Sequence, residues 1–215
     1  MIRRLLVILL LLIYTPALAD QPSVFRVTSI DSPSVNSLGT GTCVATVKNQ
    51  SMVLTAWHVV RDGHEFKVGK YTAKVVATNK AWDLAALVVD EVLPVTYLGN
   101  KRPEPGTKLT YCGYGSGDYL EGVGVVNAKS FSPGGSETAK DIIAISIQAR
   151  SGDSGGPMLD SEGRLAAVLF GTDAKIGAHG SHCVRVRWFI EQINGYPLLK
   201  RDALNPMVLF DNIQK

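Results

Sequence analysis

Three glycines, Gly152, Gly155 and Gly156, surround Ser154 in the stretch RSGDSGGPML, and a proline follows them. A turn needs one or two glycines. Three around one serine suit a backbone that must bend tightly and let another molecule come close. A serine hydroxyl is a weak nucleophile at neutral pH, so acyl transfer needs a base to take its proton and backbone N–H groups to receive the negative oxygen. That chemistry calls for a histidine and an orienting acid elsewhere in the chain. The histidines are His58, His64, His179 and His182. His58 stands at the end of the apolar run VLTAWHVV, ahead of the charged turn RDGHE, whereas His64 lies in that polar turn and reads as solvated. Asp83, in NKAWDLAALVV, directly precedes a continuous apolar run, where a carboxylate is costly unless paired or hydrogen-bonded. Each signal has an ordinary alternative: a Gly-rich surface loop, a satisfied strand-end histidine, an aspartate capping a turn. Their joint occurrence at three strand-to-loop junctions favours a serine nucleophile, a histidine base and an aspartate that orients the base through its Nδ1–H.

These residues need rigid elements to hold them. VFRVTSI, GTCVATV, SMVLTAW, EFKVGKYTAKVVAT, LAALVV, KLTYCGYG, GVGVVNAKSF, DIIAISI, RLAAVLFG and HCVRVRW are the candidate strands. Turn signals separate them, among them Asn49-Gln50, Asp62-Gly63, Pro133 to Gly135 and Glu162-Gly163. The even spacing predicts an all-β sandwich or barrel. VRWFIEQI is the one helical pattern, with Val186, Phe189, Ile190 and Ile193 at helical spacing. LGNKRPEPGTK, residues 98–108, is linker-like and divides the chain into two β-rich halves.

TAWHVV, WDLAAL and GDSGGP resemble the three catalytic blocks of the chymotrypsin/trypsin-like serine proteases, in that family's chain order and over residues 35–195. LGTGTCV and the compact His-to-Asp spacing are most similar to bacterial and HtrA-like members. The resemblance implies two six-stranded β-barrels with the site between them: an N-terminal barrel over 24–98, a C-terminal barrel plus helix over 107–195, and a tail over 196–215. It implies that His58 acts as general base then acid, that Asp83 orients it, and that Ser154 attacks the scissile carbonyl. The N–H groups of Gly152 and Ser154 would form the oxyanion hole. Protein or peptide substrates, an acyl-enzyme intermediate and no metal or organic cofactor follow from the same resemblance. Gln148 occupies the position of the pocket floor, where trypsins carry aspartate, so strict cleavage after Lys or Arg is not expected. Leu169, Phe170 and Gly171 would line the substrate, and Gly171 and Ser181 would flank the pocket entrance. His179 and His182 are either pocket residues able to recognise glutamate or glutamine, or surface loop residues.

The departures from the family pattern are equally specific. Val59 replaces the cysteine that trypsins carry after the catalytic histidine, leaving Cys43 without an obvious partner and Cys112–Cys183 as the remaining disulfide candidate. No Ile-Val-Gly-Gly sequence is present, and Arg26–Val27 is the one candidate activation cleavage. In trypsins a newly cleaved amino group pairs with the aspartate before the serine, here Asp153, so Asp153 is expected to find another donor.

The 215 residues are 46% hydrophobic and 19% charged, an ordinary globular composition with ample material for a core. Net charge is +3, of which Arg3 and Arg4 supply two, so bulk charge gives a nucleic-acid surface no support. Residues 1–19 combine those arginines, an apolar run from Leu5 to Ile13 and the small-residue pattern Ala17-Leu18-Ala19, the layout of a cleavable export signal. The expected location is secreted or periplasmic, with membrane attachment only if that segment is retained, and the expected state is a monomer. Three readings compete with a secreted peptidase. They are a metal module on His179, His182 and Cys183, a protease-like binding protein without activity, and an anchored enzyme of viral type that processes a polyprotein.

Overall fold

The computed structural model describes residues 21–32, 35–128 and 142–193. Among them, two antiparallel barrels are closed by six strands each. The first contains β1 (Val24–Ser32), β2 (Val35–Val47), β3 (Gln50–Thr55), β4 (Glu65–Val68), β5 (Tyr71–Asn79) and β6 (Leu84–Val89). They run in the order β1-β2-β3-β6-β5-β4, and β4 pairs back on β1. The second contains β7 (Lys108–Gly113), β8 (Leu120–Ala128), β9 (Ile143–Ile145), β10 (Pro157–Leu159), β11 (Leu165–Asp173) and β12 (Gly177–His182). Their order is β10-β11-β12-β9-β8-β7, with β10 closing on β7. Closure satisfies every strand edge within its own barrel. The pair of six-stranded barrels implied by the sequence is what forms.

The hydrophobic pattern explains how the barrels dock. All six residues of β6 are buried. Ala85, Leu87 and Val89 face the interior of the first barrel, while Leu84 and Ala86 join a second core outside it. That second core also takes Leu165 and Val168 from β11 and Val186, Phe189 and Ile190 from the helix α2 (Cys183–Glu191). A strand buried on both faces reads as a continuous apolar run instead of an alternating one. LAALVV is such a run because it separates a barrel lumen from the interface between barrels.

Several local readings need correction. HCVRVRW is not a strand, because α2 begins at Cys183. The strand is instead GAHGSH, β12, all of whose residues are buried. Its glycines serve close packing: a Cβ on Gly180 would fall 2.3 Å from the Val168 carbonyl oxygen. EFKVGKYTAKVVAT is two strands, split at Gly69, which turns the chain with φ +56°. The Cys112–Cys183 disulfide does not form, since all three cysteines are free and buried. Cys112 packs with Val24 and Leu159, whereas the Cys183 thiol donates to the Lys101 carbonyl at 3.1 Å. Cleavage at Arg26–Val27 would cut β1 in mid-strand, where Val27 is fully buried and pairs with both Gly39 and Val68. The export-signal segment, the Pro133 to Gly135 turn and the tail lie outside the described residues.

Candidate active site

β3 runs buried into a single helical turn, α1 (Trp57–Val60). Val59 and Val60 anchor that turn in the first barrel's core and leave the His58 ring 34% exposed. Asp83 arrives at the start of β6, the strand paired with β3, where Ala85 lies opposite Thr55. A 3-10 turn over Lys80–Trp82, capped by the Asn79 side chain accepting from the Trp82 N–H at 3.1 Å, ends with Asp83 in the left-handed region at φ 49°, ψ 49°. That bend aims the carboxylate back at α1. Oδ1 accepts the His58 backbone N–H at 2.8 Å, and Oδ2 lies 2.7 Å from Nδ1. A carboxylate acceptor at Nδ1 places the ring proton there and leaves Nε2 with its lone pair.

Ser154 sits between two glycines of positive φ, Gly152 at +91° and Gly155 at +88°. A Cβ on Gly155 would fall 2.0 Å from the Thr40 carbonyl oxygen and 2.2 Å from Thr55 Oγ1, so the serine loop lies directly on the first barrel. Thr40, on β2, fixes that loop at two points. Its N–H donates to the Ser154 carbonyl and its hydroxyl to the Gly152 carbonyl, both at 2.8 Å. Gly39, one residue earlier, lies between the two halves of the site. A Cβ there would meet Val59 at 2.7 Å and the Ser154 carbonyl oxygen at 3.0 Å. The turn carrying His58 and the loop carrying Ser154 therefore flank the same strand.

Asp153 is fully buried beside the serine. Its carboxylate accepts from the Gly115 N–H at 2.7 Å and the Arg150 N–H at 2.7 Å, and from the Arg150 guanidinium at 3.1 and 3.2 Å. The donor that the sequence left unnamed is Arg150.

A cavity of about 270 Å³ opens at Ser154, lined also by Ala149, Arg150, Ser151, Leu169, Gly171 and Thr172. Of the residues singled out in the sequence, Ser154, Leu169 and Gly171 meet there. Gln148 does not line it: exposed at the side, it accepts from the Thr172 hydroxyl at 2.7 Å and donates to the Asp173 carbonyl at 3.1 Å. Phe170 turns away to pack against the first barrel's core and edge-on to His179. Ser181 is fully buried behind Asp83, its hydroxyl donating to the Trp82 carbonyl at 2.6 Å. His179 and His182 are buried on β12, so neither is a surface loop residue. Among the described residues no group of three His, Cys, Asp or Glu side chains converges as metal ligands would, which removes the His179–His182–Cys183 module. Burial pushes the His179 pKa below its ordinary value, partly countered by a hydrogen bond with the Gly177 carbonyl.

Thr40 and Arg150 were missed in the sequence. The one available signal was Arg150 itself, a cation three residues before an aspartate in a turn.

A model of the trypsin-like peptidase domain matches residues 39–168, a span that holds His58, Asp83 and Ser154. The chain belongs to the trypsin-like peptidase domain family. It is 29% identical over 163 residues to the serine protease Do-like HtrA of Bacillus subtilis, covering 68% of this chain and 36% of that protein. It is 26% identical over 174 residues to the serine protease Rv3671c of Mycobacterium tuberculosis, covering 74% of this chain and 43% of the relative. The chain thus spans well under half of each relative's length. Among solved structures, the active form of the Rv3671c protease superposes with a TM-score of 0.69 at 22% identity, over 85% of this chain and 86% of that one. The HtrA-type protease AlgW with a tripeptide gives 0.68 at 22% identity, over 80% and 61%. These likenesses establish the fold of two docked barrels.

Proposed function

We propose that the protein is a serine endopeptidase that hydrolyses protein or peptide substrates through an acyl-enzyme intermediate. The observation that carries this reading is the two-point hold of Asp83 on His58, which fixes the ring's tautomer and orientation, with the Gly-bounded Ser154 loop packed against the same Gly39 as the His58 turn. In this reading His58 Nε2 takes the Ser154 proton as Oγ attacks the scissile carbonyl, and Asp83 stabilises the imidazolium that results. The N–H groups of Gly152 and Ser154 receive the oxyanion, and His58 then returns its proton to the leaving amine. Water enters, His58 deprotonates it, and the acyl-enzyme is hydrolysed by the same sequence in reverse.

The cavity beside Ser154 supports a preference for a compact, uncharged side chain before the scissile bond. Ala149, Leu169, Gly171 and Thr172 offer a small and mostly apolar lining, and the Arg150 guanidinium is already engaged by Asp153. The N-terminal pattern of residues 1–19 supports export. No helix among the described residues is long and apolar enough to cross a membrane.

The experiment is fluorophosphonate labelling of the purified chain, with Ser154→Ala and His58→Ala alongside. Labelling of the wild type and of neither variant is the expected result. A folded wild type that takes no label refutes an assembled nucleophile and leaves a protease-like binding protein as the better account.

A further inference from the structure

The mechanism above gives Arg150 no part in the chemistry, yet the structure commits it heavily. Asp153 immediately precedes Ser154 and has no exposure to solvent. A carboxylate so placed is tolerable only with donors around it, and a formal charge only with a countercharge. Arg150 supplies both. Its backbone N–H and guanidinium Nε reach Oδ2 at 2.7 and 3.2 Å, and Nη2 reaches Oδ1 at 3.1 Å. Nη2 also donates to the carbonyls of Gly113 at 3.2 Å and Asp118 at 3.1 Å. The guanidinium therefore ties the serine loop to the end of β7 and the turn after it. The same loop is held on its other side by Thr40, through the Gly152 and Ser154 carbonyls. Side-chain and backbone restraints thus leave the peptides around Ser154 little freedom to turn.

We propose that Arg150 is a positioning residue that locks the Ser154 loop in its reactive shape from within the loop itself, so that competence requires no cleavage of the chain. The proposal rests on the reading of Ser154 as nucleophile. Its geometric basis is the filled site at Asp153: with two backbone N–H groups and a guanidinium in place, the carboxylate needs no further cationic partner. The mid-strand position of Val27 points the same way, because an amine generated there would have to leave a strand paired on both sides.

The test compares the wild-type chain with Arg150→Gln, Arg150→Lys and the double variant Arg150→Gln/Asp153→Asn. Four quantities are read: the rate of fluorophosphonate labelling, kcat and KM on a peptide substrate, and Tm. The label must also be located on intact or shortened chain by mass spectrometry. Wild type is expected to label with its chain uncut beyond the Ala19–Asp20 junction. Arg150→Gln is expected to lose at least tenfold in labelling rate and kcat with a smaller change in KM, and Arg150→Lys to recover part of the loss. The double variant removes both charges, so it is expected to keep a Tm near wild type while still labelling slowly. This separates loop positioning from general stability even if Arg150→Gln alone does not fold. A folded double variant that labels at the wild-type rate overturns the proposal, as does label found only on chain cut beyond the Ala19–Asp20 junction. A wild type that takes no label removes the nucleophile reading and this proposal with it, whereas equal labelling of wild type and Arg150→Gln removes this proposal alone.

Discussion

Asp83 carries two burdens at one position, a left-handed backbone and a carboxylate that must accept rather than donate. Asparagine tolerates that backbone as well as aspartate does, so Asp83→Asn should fold with little change in Tm. Its amide can still accept the His58 backbone N–H through oxygen, but it then offers NH₂ to Nδ1 and favours the wrong tautomer. Turnover is expected to fall on the order of 10⁴-fold with KM nearly constant, which steady-state kinetics on a peptide substrate would measure. A loss of tenfold or less would mean that Asp83 is only a turn cap. His58, Asp83 and Ser154 stood out as candidates in the sequence because each is a chemically distinctive side chain next to an apolar run or a Gly-rich turn. Thr40 was not, since its contribution is to two backbone carbonyls that lie far along the chain, and nothing in LGTGTCV announces them. Gln148 was misplaced for a related reason: counting residues back from a serine assumes a loop path, and here the path delivers Gln148 to Thr172 at the side of the cavity.

At the scale of the element, β12 was the hardest strand to see and bears most on the site. Glycine and histidine are poor strand signals, and GAHGSH has no alternation to betray a strand buried on both faces. Within it, Ser181 reaches across to the first barrel and holds the Trp82 carbonyl, the group just before Asp83. Ser181→Ala leaves that carbonyl short of a partner and is expected to cost about 1–3 kcal/mol of stability, measured by urea denaturation. An unchanged urea midpoint would show that water or another donor takes over. His179 on the same strand gives a pH signature. Its pKa is held below the ordinary 6.5 by burial, so the folded state keeps it neutral while the unfolded chain protonates it near the ordinary value. The stability this provides is complete above about pH 6.5 and is lost as pH falls through the lower folded pKa. The fall in urea midpoint between pH 7.5 and pH 5 should therefore be shallower in His179→Gln than in wild type. Parallel slopes would assign the acid sensitivity to other groups.

For the whole molecule the question is what keeps two barrels in register when the site is assembled from both. His58 and Asp83 come from the first barrel and Ser154 from the second, and no disulfide joins any described cysteine to another. The interface rests instead on the apolar core shared by β6, β11 and α2, and on hydrogen bonds such as those of Thr40 and Ser181 that cross between barrels. Evenly spaced short strands and a Pro-rich junction read as two β-rich halves of a sandwich or barrel, and the family resemblance implied the two six-stranded barrels. Its packing was not, because the sequence does not show which faces of LAALVV and VRWFIEQI meet. The cysteines test the account directly. Cys43, Cys112 and Cys183 have no solvent exposure, and burial raises all three thiol pKa values, that of Cys112 to about 12. Buried thiols held in the protonated form are inert as nucleophiles. Iodoacetamide at pH 7.5 should leave all three unmodified in the native protein and alkylate all three in urea, as read by intact mass. Tm should be the same with and without a reductant. A reductant-dependent Tm, or a urea-unfolded protein that takes fewer than three alkyl groups, would mean that a cross-link contributes and that the shared core alone does not hold the barrels together.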